Sequence, residues 1–394
     1  EIVFGDWSSD VCSSDLTVIF ALLKLVGRKK KHYFRYKTHY WTLVKISSVI
    51  LIINFLPLIC TNLITNPDLD RQFADVFGDD WRDQVSDEEK ARLRQVQFSF
   101  FDAYYGVEFP VKAEYLNVYM EDSPRFVKNR TNGEIISNGS SKFTNITQKM
   151  IFDAYLPATP EFNGVDFGDG TDVKFPVLIY MHGIGMDRGS GNANWTSQYF
   201  ANLGFAVFDM SYGFTGWADW PYHGGKEKGY DVPDQVHQIG NFTKHLEKYA
   251  DYYHADLSKT YFAGRSFGGW LALACGYLAE SAFAGGNFSS AIDVKGVIPY
   301  YPASDIPYLT SETFELGVEL DVLDTAYIRG SSDPENPDYN PEWLWFNPLL
   351  MVNNTYTPAG DIPATFIIQG THDYLVPQGA GKRLEKALND NDIP

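Results

Sequence analysis

The chain has few cysteines and little positive charge. Only Cys12, Cys60 and Cys275 occur among its 394 residues, which is too few and too scattered for a disulfide framework or a cysteine-based metal cluster. Lys and Arg number 32 against 50 Asp and Glu, and the formal net charge is -18. A surface that binds nucleic acid needs clustered Lys and Arg, so we expect no nucleic-acid partner.

Apolar residues, by contrast, are plentiful. Hydrophobic residues make up 44% of the chain and aromatic residues 16%, which is ample for a packed core at this length. Asn-x-Ser/Thr sequons begin at Asn129, Asn138, Asn145, Asn194, Asn241, Asn287 and Asn353. Each is a weak signal alone, but together they fit a lumenal glycoprotein of a eukaryote.

The first 65 residues differ from the rest of the chain. Residues 1–16 have no apolar periodicity, resemble translated adapter sequence, and are interpreted as a non-native artefact. Residues 17–65 are predicted to be a membrane-anchor region with one or two spans, because Ile46–Ile64 carries no charge and nearly crosses a bilayer. Basic residues precede this predicted transmembrane helix, so the positive-inside rule places the remaining chain in an extracytoplasmic or lumenal space. The alternatives are a buried core helix and a cleaved segment.

The rest of the chain changes character twice. Residues 66–106 indicate a helical lead-in segment, and alternating apolar residues between about 107 and 157 predict antiparallel strands. Short apolar runs then alternate with helical stretches, which is typical of a mostly parallel sheet covered by helices on both faces. The predicted strands are Val177–Met181, Phe205–Asp209, Thr260–Gly264, Val294–Tyr300 and Ala364–Gln369, and the helices include Val232–Ala250 and Phe267–Ala279. Residues 107–394 are therefore predicted to form one α/β domain with its chemistry at the carboxyl ends of the strands.

A G-x-S-x-G pattern lies between a predicted strand and a predicted helix. It consists of Gly264, Ser266 and Gly268 with Arg265 and Phe267 between them. Glycines at these positions allow a strained turn that lifts the serine oxygen above the sheet edge, where it can act as a nucleophile. The alternative is an ordinary tight turn in which Ser266 is simply a small residue.

A second glycine-containing loop follows the first predicted parallel strand. It begins with His182, Gly183, Ile184 and Gly185. Backbone N–H groups of such a loop can stabilise an oxyanion, with the N–H of Phe267 as a further donor. We interpret His182 as a residue that orients this loop rather than as a general base, and a simple strand-ending turn is the alternative.

An acidic residue follows the last predicted strand. Asp373 lies late in the chain, where the order Ser, Asp, His puts the residue that orients the base. His372 is its neighbour, and adjacent side chains diverge, so these two residues are not expected to work together. Ordinary loop or helix positions are predicted for His223, His237, His245 and His254. An acyl or aromatic pocket and plain packing are equally weighted interpretations of Trp217, Trp220 and Tyr222.

Together these segments resemble the α/β-hydrolase esterases, and the closest likeness is to the carboxylesterase and feruloyl- and acetyl-esterase-like (BD-FAE-like) branch. The resemblance covers about residues 150–394, including FDAYLP, VLIYMHGIG, the block around FAGRSFGGW, and IPATFIIQGTHDYLVP. It implies Ser266 as nucleophile, Asp373 as the acid, and Ile184, Gly185 and Phe267 as oxyanion donors. It implies no metal and no cofactor.

The sequence departs from the family pattern at two points. The family usually has another glycine where Ile184 stands, and it places its catalytic histidine in a loop beyond the acid. No histidine follows His372 in this chain. We therefore expect that the chain is incomplete at its C-terminus and that the catalytic histidine lies beyond Pro394.

The sequence as a whole predicts a membrane-anchored serine esterase that cleaves small-molecule esters through an acyl-enzyme. Two alternatives remain. The first is a catalytically silent binding protein on the same fold, which a native C-terminus without histidine would favour. The second is a serine exopeptidase, which would share the nucleophile.

Overall fold

The computed structural model describes residues 69–86, 111–124, 147–157, 173–183, 188–190, 193–213, 232–279, 287–305, 308, 337, 345–352, 362–371, 373 and 376–394. The chain divides into two compact units, Glu1–Arg82 and Asp83–Pro394. In the first unit, helix α1 spans 69–77, within the predicted lead-in segment. Phe73 of α1 packs against Trp81 with 4.9 Å between ring centroids. The guanidinium of Arg82 lies over the same indole ring, so aromatic contacts join α1 to the turn that follows it.

The described part of the second unit contains seven strands and five helices. The strands are β1 Val111–Pro124, β2 Thr147–Pro157, β3 Phe175–Met181, β4 Ala206–Met210, β5 Ala255–Arg265, β6 Val294–Tyr300 and β7 Ala364–Thr365. The helices are α2 Ala193–Asn202, α3 Val232–Lys248, α4 Phe267–Leu278, α5 Pro348–Val352 and α6 Gln378–Asp390.

The strands form one sheet in the order β1-β2-β4-β3-β5-β6-β7. Strand β2 pairs antiparallel with both β1 and β4, and all the other pairs are parallel. Helix α2 packs on one face of this sheet, and α3 and α4 contribute to the core on the other face. This is the α/β-hydrolase fold, and the predicted mostly parallel sheet with helices on both faces is confirmed.

The inner strands and helix α4 are apolar because they have no solvent-facing side. All five residues of β4 are buried, as are all but Pro176 in β3. A parallel strand covered on both faces needs such a nearly continuous apolar run. All twelve residues of α4 are buried as well, which explains why FGGWLALACGYL is apolar around its whole circumference.

All five predicted strands are present, but only β6 keeps its predicted bounds. Strand β6 spans Val294–Tyr300 as predicted. Strand β5 extends from Ala255 to Arg265, longer than its apolar centre. Strand β7 covers only Ala364–Thr365, and a single bridge then joins Ile368 to Tyr300. On the side away from β6, the N–H of Thr365 donates to the carbonyl oxygen of Pro394 at 2.9 Å.

The prediction of a membrane location is wrong. Among the residues that the structure describes, no helix is both long and apolar enough to cross a bilayer. The longest of them, α3, has 17 residues and carries several charged side chains. The predicted anchor region 17–65, its transmembrane helix and the artefact 1–16 lie outside the described residues, as do residues 87–106 of the lead-in segment.

The sequons add no support for a lumenal location. Those at Asn194, Asn241 and Asn287 lie in described segments. In two of them the hydroxyl residue is buried, namely Thr243 and Ser289. The backbone N–H of Ser289 donates to the hydroxyl oxygen of Thr243 at 2.9 Å, so both residues serve the packing between α3 and the segment before β6.

Candidate active site

Ser266 occupies a strained turn between a strand and a helix. It directly follows the last residue of β5 and precedes the first residue of α4, with φ 54° and ψ -121°. A positive φ is uncommon for a residue with a side chain and costs free energy, so the neighbouring structure must hold it. The N–H of Ser266 donates to the carbonyl of Tyr300 on β6 at 2.9 Å, and its own carbonyl accepts the N–H of Trp270 at 3.1 Å. The turn is thus fixed from the sheet and from the helix.

The two glycines of this elbow are required by close backbone contacts. A Cβ atom on Gly268 would overlap the carbonyl oxygens of Met181 and His182. A Cβ atom on Gly264 would overlap the carbonyl of Gly268. The first turn of α4 therefore rests directly on the end of β3, which brings the loop after β3 beside Ser266.

The start of that loop is held by stacking and hydrogen bonds. His182 is buried, and its ring lies parallel to that of Tyr212 with 4.1 Å between centroids. Nδ1 of His182 donates to the carbonyl oxygen of Gly183 at 2.9 Å. The hydroxyl of Tyr212 donates to the carbonyl of His182. These contacts fit a residue that orients the loop.

The predicted oxyanion donors are only partly described. Ile184 and Gly185 lie outside the described residues. Phe267 is the first residue of α4, where backbone N–H groups point out of the helix and the helix dipole is positive. Its amide therefore emerges next to Ser266, where it can donate to a negative oxygen.

Residues 188–190, here called the exit turn, lie on a buried pair of carboxylates. Asp209 of β4 accepts the N–H of Gly189 at 2.6 Å. Asp153 of β2 forms an ion pair with Arg188 at 3.0 Å and is 2% exposed. The two aspartates are directly paired across β2 and β4. Two strands of the sheet therefore hold the segment that follows the predicted oxyanion donors.

A third contact joins the exit turn to the elbow. The guanidinium of Arg265, next to the serine in the chain, donates to the carbonyl of Ser190. No group of three or more His, Cys, Asp or Glu in the described segments is arranged to hold a metal ion. The positive charges facing the carboxylate of Asp209 are instead those of Arg188 and Arg265.

Burial raises the pKa of Asp209 to about 7, since the charged form is desolvated. The hydrogen bond from Gly189 opposes this rise, the charge of Asp153 adds to it, and the two arginines reduce it. Oδ1 of Asp209 is buried and has no hydrogen-bond partner among the described residues. The Asp209 carboxyl therefore changes charge near neutral pH.

Asp373 lies beyond the carboxyl end of β7. It is half-buried, and its carboxylate accepts the N–H of Val376 at 2.9 Å. Strands β5 and β7 are the two neighbours of β6, so their axes are about 10 Å apart. Ser266 and Asp373 thus follow strands that end at the same edge of the sheet.

The described histidines other than His182 lie on helix α3 or just before strand β5. His237 is exposed on α3. The ring of His245 packs against Phe152 with 5.4 Å between centroids, and burial lowers its pKa. His254 precedes β5, at the opposite end of the 11-residue strand from Ser266. His223, His372, Trp217, Trp220 and Tyr222 lie outside the described residues.

Sequence reasoning missed the charged cluster around the exit turn. In the sequence, Asp153 and Asp209 stand out only as parts of the apolar segments FDAYLP and FAVFD. A charged residue inside an otherwise apolar buried strand is itself a signal, because such a group is rarely buried without partners. The partners Arg188 and Arg265 could not be assigned without the sheet order.

Comparison with known proteins gives one family. The BD-FAE family model matches residues 167–388, more than half of the chain. Esterase B from Lactobacillus rhamnosis is similar in structure, with TM-score 0.49 and 19% identity over 74% of this chain and 76% of that chain. A hyperthermophilic esterase from the archaeon Pyrobaculum calidifontis gives TM-score 0.45 and 17% identity over 74% and 75%. No curated protein matches the chain significantly.

Proposed function

The chain belongs to the BD-FAE family of α/β-hydrolase esterases, and on this premise we propose that it is a serine esterase. In this proposal it cleaves small carboxylic esters through an acyl-enzyme. The observation that carries the proposal is the backbone of Ser266, a residue with a side chain held at φ 54° between a strand and a buried helix. Strain of this kind persists where the structure around it needs that one orientation of the side chain.

Ser266 acts as the nucleophile. Its Oγ forms a bond to the ester carbonyl carbon while the general base accepts the hydroxyl proton. The carbonyl oxygen becomes an oxyanion, which accepts hydrogen bonds from the N–H of Phe267 and from those of Ile184 and Gly185. The bond to the alkoxy group then breaks, and the alcohol leaves with the proton from the base. Water attacks the acyl-enzyme in the same manner and releases the acid.

Asp373 orients the general base and stabilises its positive charge. The base is assigned to a histidine outside the described residues. His182 is stacked on Tyr212 and bonded to Gly183, which fits a loop-orienting role. His237 is exposed on α3, His245 is packed against Phe152, and His254 lies at the other end of β5. Two hydrogen bonds, one to Ser266 and one to Asp373, would fix this ring at the carboxyl edge of the sheet.

The test is labelling by a fluorophosphonate probe, which reacts with activated serines. The natural protein is compared with Ser266→Ala and with a control, Ser258→Ala. Ser258 is exposed and its hydroxyl donates to Asp256, near the amino end of β5. We expect the control to label as the natural protein does and Ser266→Ala not to label. Equal labelling of Ser266→Ala would overturn the assignment of the nucleophile.

Two substrates separate this proposal from its alternatives. Hydrolysis of p-nitrophenyl acetate with no cleavage of leucine p-nitroanilide supports the esterase, and faster cleavage of the anilide would support an exopeptidase. If the natural protein neither labels nor hydrolyses either substrate, the fold serves as a scaffold for binding, and the enzymatic proposal fails.

A further inference from the structure

The face of the sheet that contacts the exit turn carries charged groups beside apolar ones. Cross-strand pairing places Asp153, Asp209, Tyr180 and Ala263 side by side on β2, β4, β3 and β5. Directly paired residues share a face, and so do residues two apart in a strand. Arg265 therefore lies on this face too, and its guanidinium reaches the carbonyl of Ser190.

We propose that Asp209 is a positioning residue for the reaction: its carboxylate fixes the exit turn and, through it, the oxyanion donors. The inference rests on the proposed function, since it concerns the same site. Asp209 itself touches neither Ser266 nor the ester, and it acts through the backbone of Gly189. Arg265 supports the same turn from the elbow side.

Distance along the chain makes this coupling direct. Only four residues, 184–187, separate Gly183 from Arg188, and they include both predicted loop donors. The contacts of His182 and Tyr212 hold one end of this segment, and those of Asp209, Asp153 and Arg265 hold the other. A shift of the exit turn by a fraction of a bond length must therefore be absorbed within four residues. Misplacement of donors by about 1 Å can cost a factor of about 100 in rate.

The ionised carboxylate has the stronger hold on the turn. A charged acceptor binds an N–H about twice as strongly as a neutral one. The groups that face Asp209 are Asp153 and Tyr155 from β2, Tyr180 from β3, Arg188 from the exit turn and Arg265 from β5. With both aspartates ionised, two negative charges face two guanidiniums. Removing the charge of Asp209 leaves Asp153 to balance both arginines.

The experiment compares Asp209→Asn with the natural protein on p-nitrophenyl butyrate. Asn can still accept the N–H of Gly189, so the turn keeps a weaker form of its bond. We expect kcat to fall about 10- to 100-fold with KM changed less than about threefold, because the donors act on the transition state. Binding of butylboronic acid, which forms a tetrahedral adduct with an active serine, should weaken by a similar factor.

Two readouts separate positioning from a purely structural role. At pH 8 the Asn variant should be at least as stable as the natural protein, since it removes a desolvated charge. In the natural protein, kcat at pH 6 should be lower than protonation of the general base alone predicts. The pH profile of kcat for Asp209→Asn should show one ionisation only.

The matched control is Asp305→Asn. Asp305 is 3% exposed and pairs with Arg383 of α6 at 2.6 Å, so it is also a buried carboxylate with an arginine partner. The Asp305→Asn variant should be less stable than the natural protein, but its kcat should stay within about threefold of the natural value. If Asp209→Asn does not fold, Arg265→Gln tests the same turn from the elbow side.

The outcomes are distinct. An unchanged kcat and unchanged boronic acid affinity in Asp209→Asn, with active natural protein, would overturn the positioning role and leave the esterase intact. A loss of kcat that merely parallels a loss of folded protein would also overturn it. An inactive natural protein that also fails to label at Ser266 is a failure of the proposed function itself.

Discussion

The elbow and the exit turn flank the same predicted oxyanion site, but different forces hold them. The elbow is fixed by contacts between backbones, with Gly268 pressed against the end of β3 and Ser266 bonded to β6. The exit turn is fixed by charges that β2, β4 and β5 supply to residues 188–190. Steric contacts change little with pH, whereas buried carboxylates titrate. One half of the site should therefore be insensitive to pH, and the other half should respond to it.

The largest effect is expected at the elbow. In Gly268→Ala the new methyl group would overlap the carbonyl oxygens of Met181 and His182, so α4 and the end of β3 must separate. The nucleophile and the donors would both move, and we expect kcat/KM to fall by about 1,000-fold or more. The measurement is hydrolysis of p-nitrophenyl acetate together with urea unfolding.

Gly276→Ala on the same helix is the matched control. Its methyl group would meet a side-chain carbon of Val297 instead of backbone. A side chain can rotate away, so this variant should lose about 1–3 kcal/mol of stability while its turnover stays within a few-fold. Similar losses of turnover in the two variants would mean that general loosening of α4, not the elbow contact, governs activity.

The next effect concerns stability at the exit turn as a function of pH. Burial raises the pKa of Asp209 from 3.8 to about 7. Between pH 4 and pH 7 the folded protein holds a proton that the unfolded chain has lost, so this group makes the natural protein less stable as pH rises. This contribution to the free energy of unfolding is constant below about pH 4 and above about pH 7. Between these pH values it changes by at most about 4 kcal/mol.

Asp209→Asn lacks this titration. Its free energy of unfolding, relative to the natural protein, should therefore increase from pH 5 to pH 8 in urea titrations. The kcat of Asp209→Asn, relative to that of the natural protein, should instead decrease from pH 5 to pH 8, because the ionised carboxylate of the natural protein holds the turn more strongly. A stability difference that does not change with pH would show that Asp209 is already ionised at pH 5.

The same contrast explains how much the sequence could predict. The strands, the mostly parallel sheet and the position of Ser266 between β5 and α4 follow from apolar runs and from glycines within a few residues of one another, and the resemblance of these motifs implied the α/β-hydrolase fold. The exit turn does not, because Asp153 and Asp209 become neighbours only through the antiparallel pairing of β2 and β4. The membrane prediction failed for a related reason. It rested on an uncharged run and the basic residues before it, without any packing partner to test it.

A smaller effect is expected where the two regions meet. Arg265→Gln removes the charge that reaches Ser190 from the elbow, and kcat should fall about 10-fold. Because Arg265 and Asp209 support one turn, the double variant with Asp209→Asn should lose less activity than the product of the two single losses. Strictly multiplicative losses in this double-mutant cycle would mean that elbow and exit turn act independently.

The smallest effect tests whether the exit turn depends on its backbone conformation or on its charges. Gly189 has φ +72°, and no described heavy atom lies within 4 Å of the place where its Cβ would stand. Gly189→Ala should therefore cost only the left-handed backbone strain, about 1–2 kcal/mol of stability. Its N–H still reaches Asp209, so kcat should stay within about threefold of the natural protein. A loss of kcat as large as that of Asp209→Asn would mean that steric constraint governs the exit turn as it governs the elbow, and the contrast between the two regions would disappear.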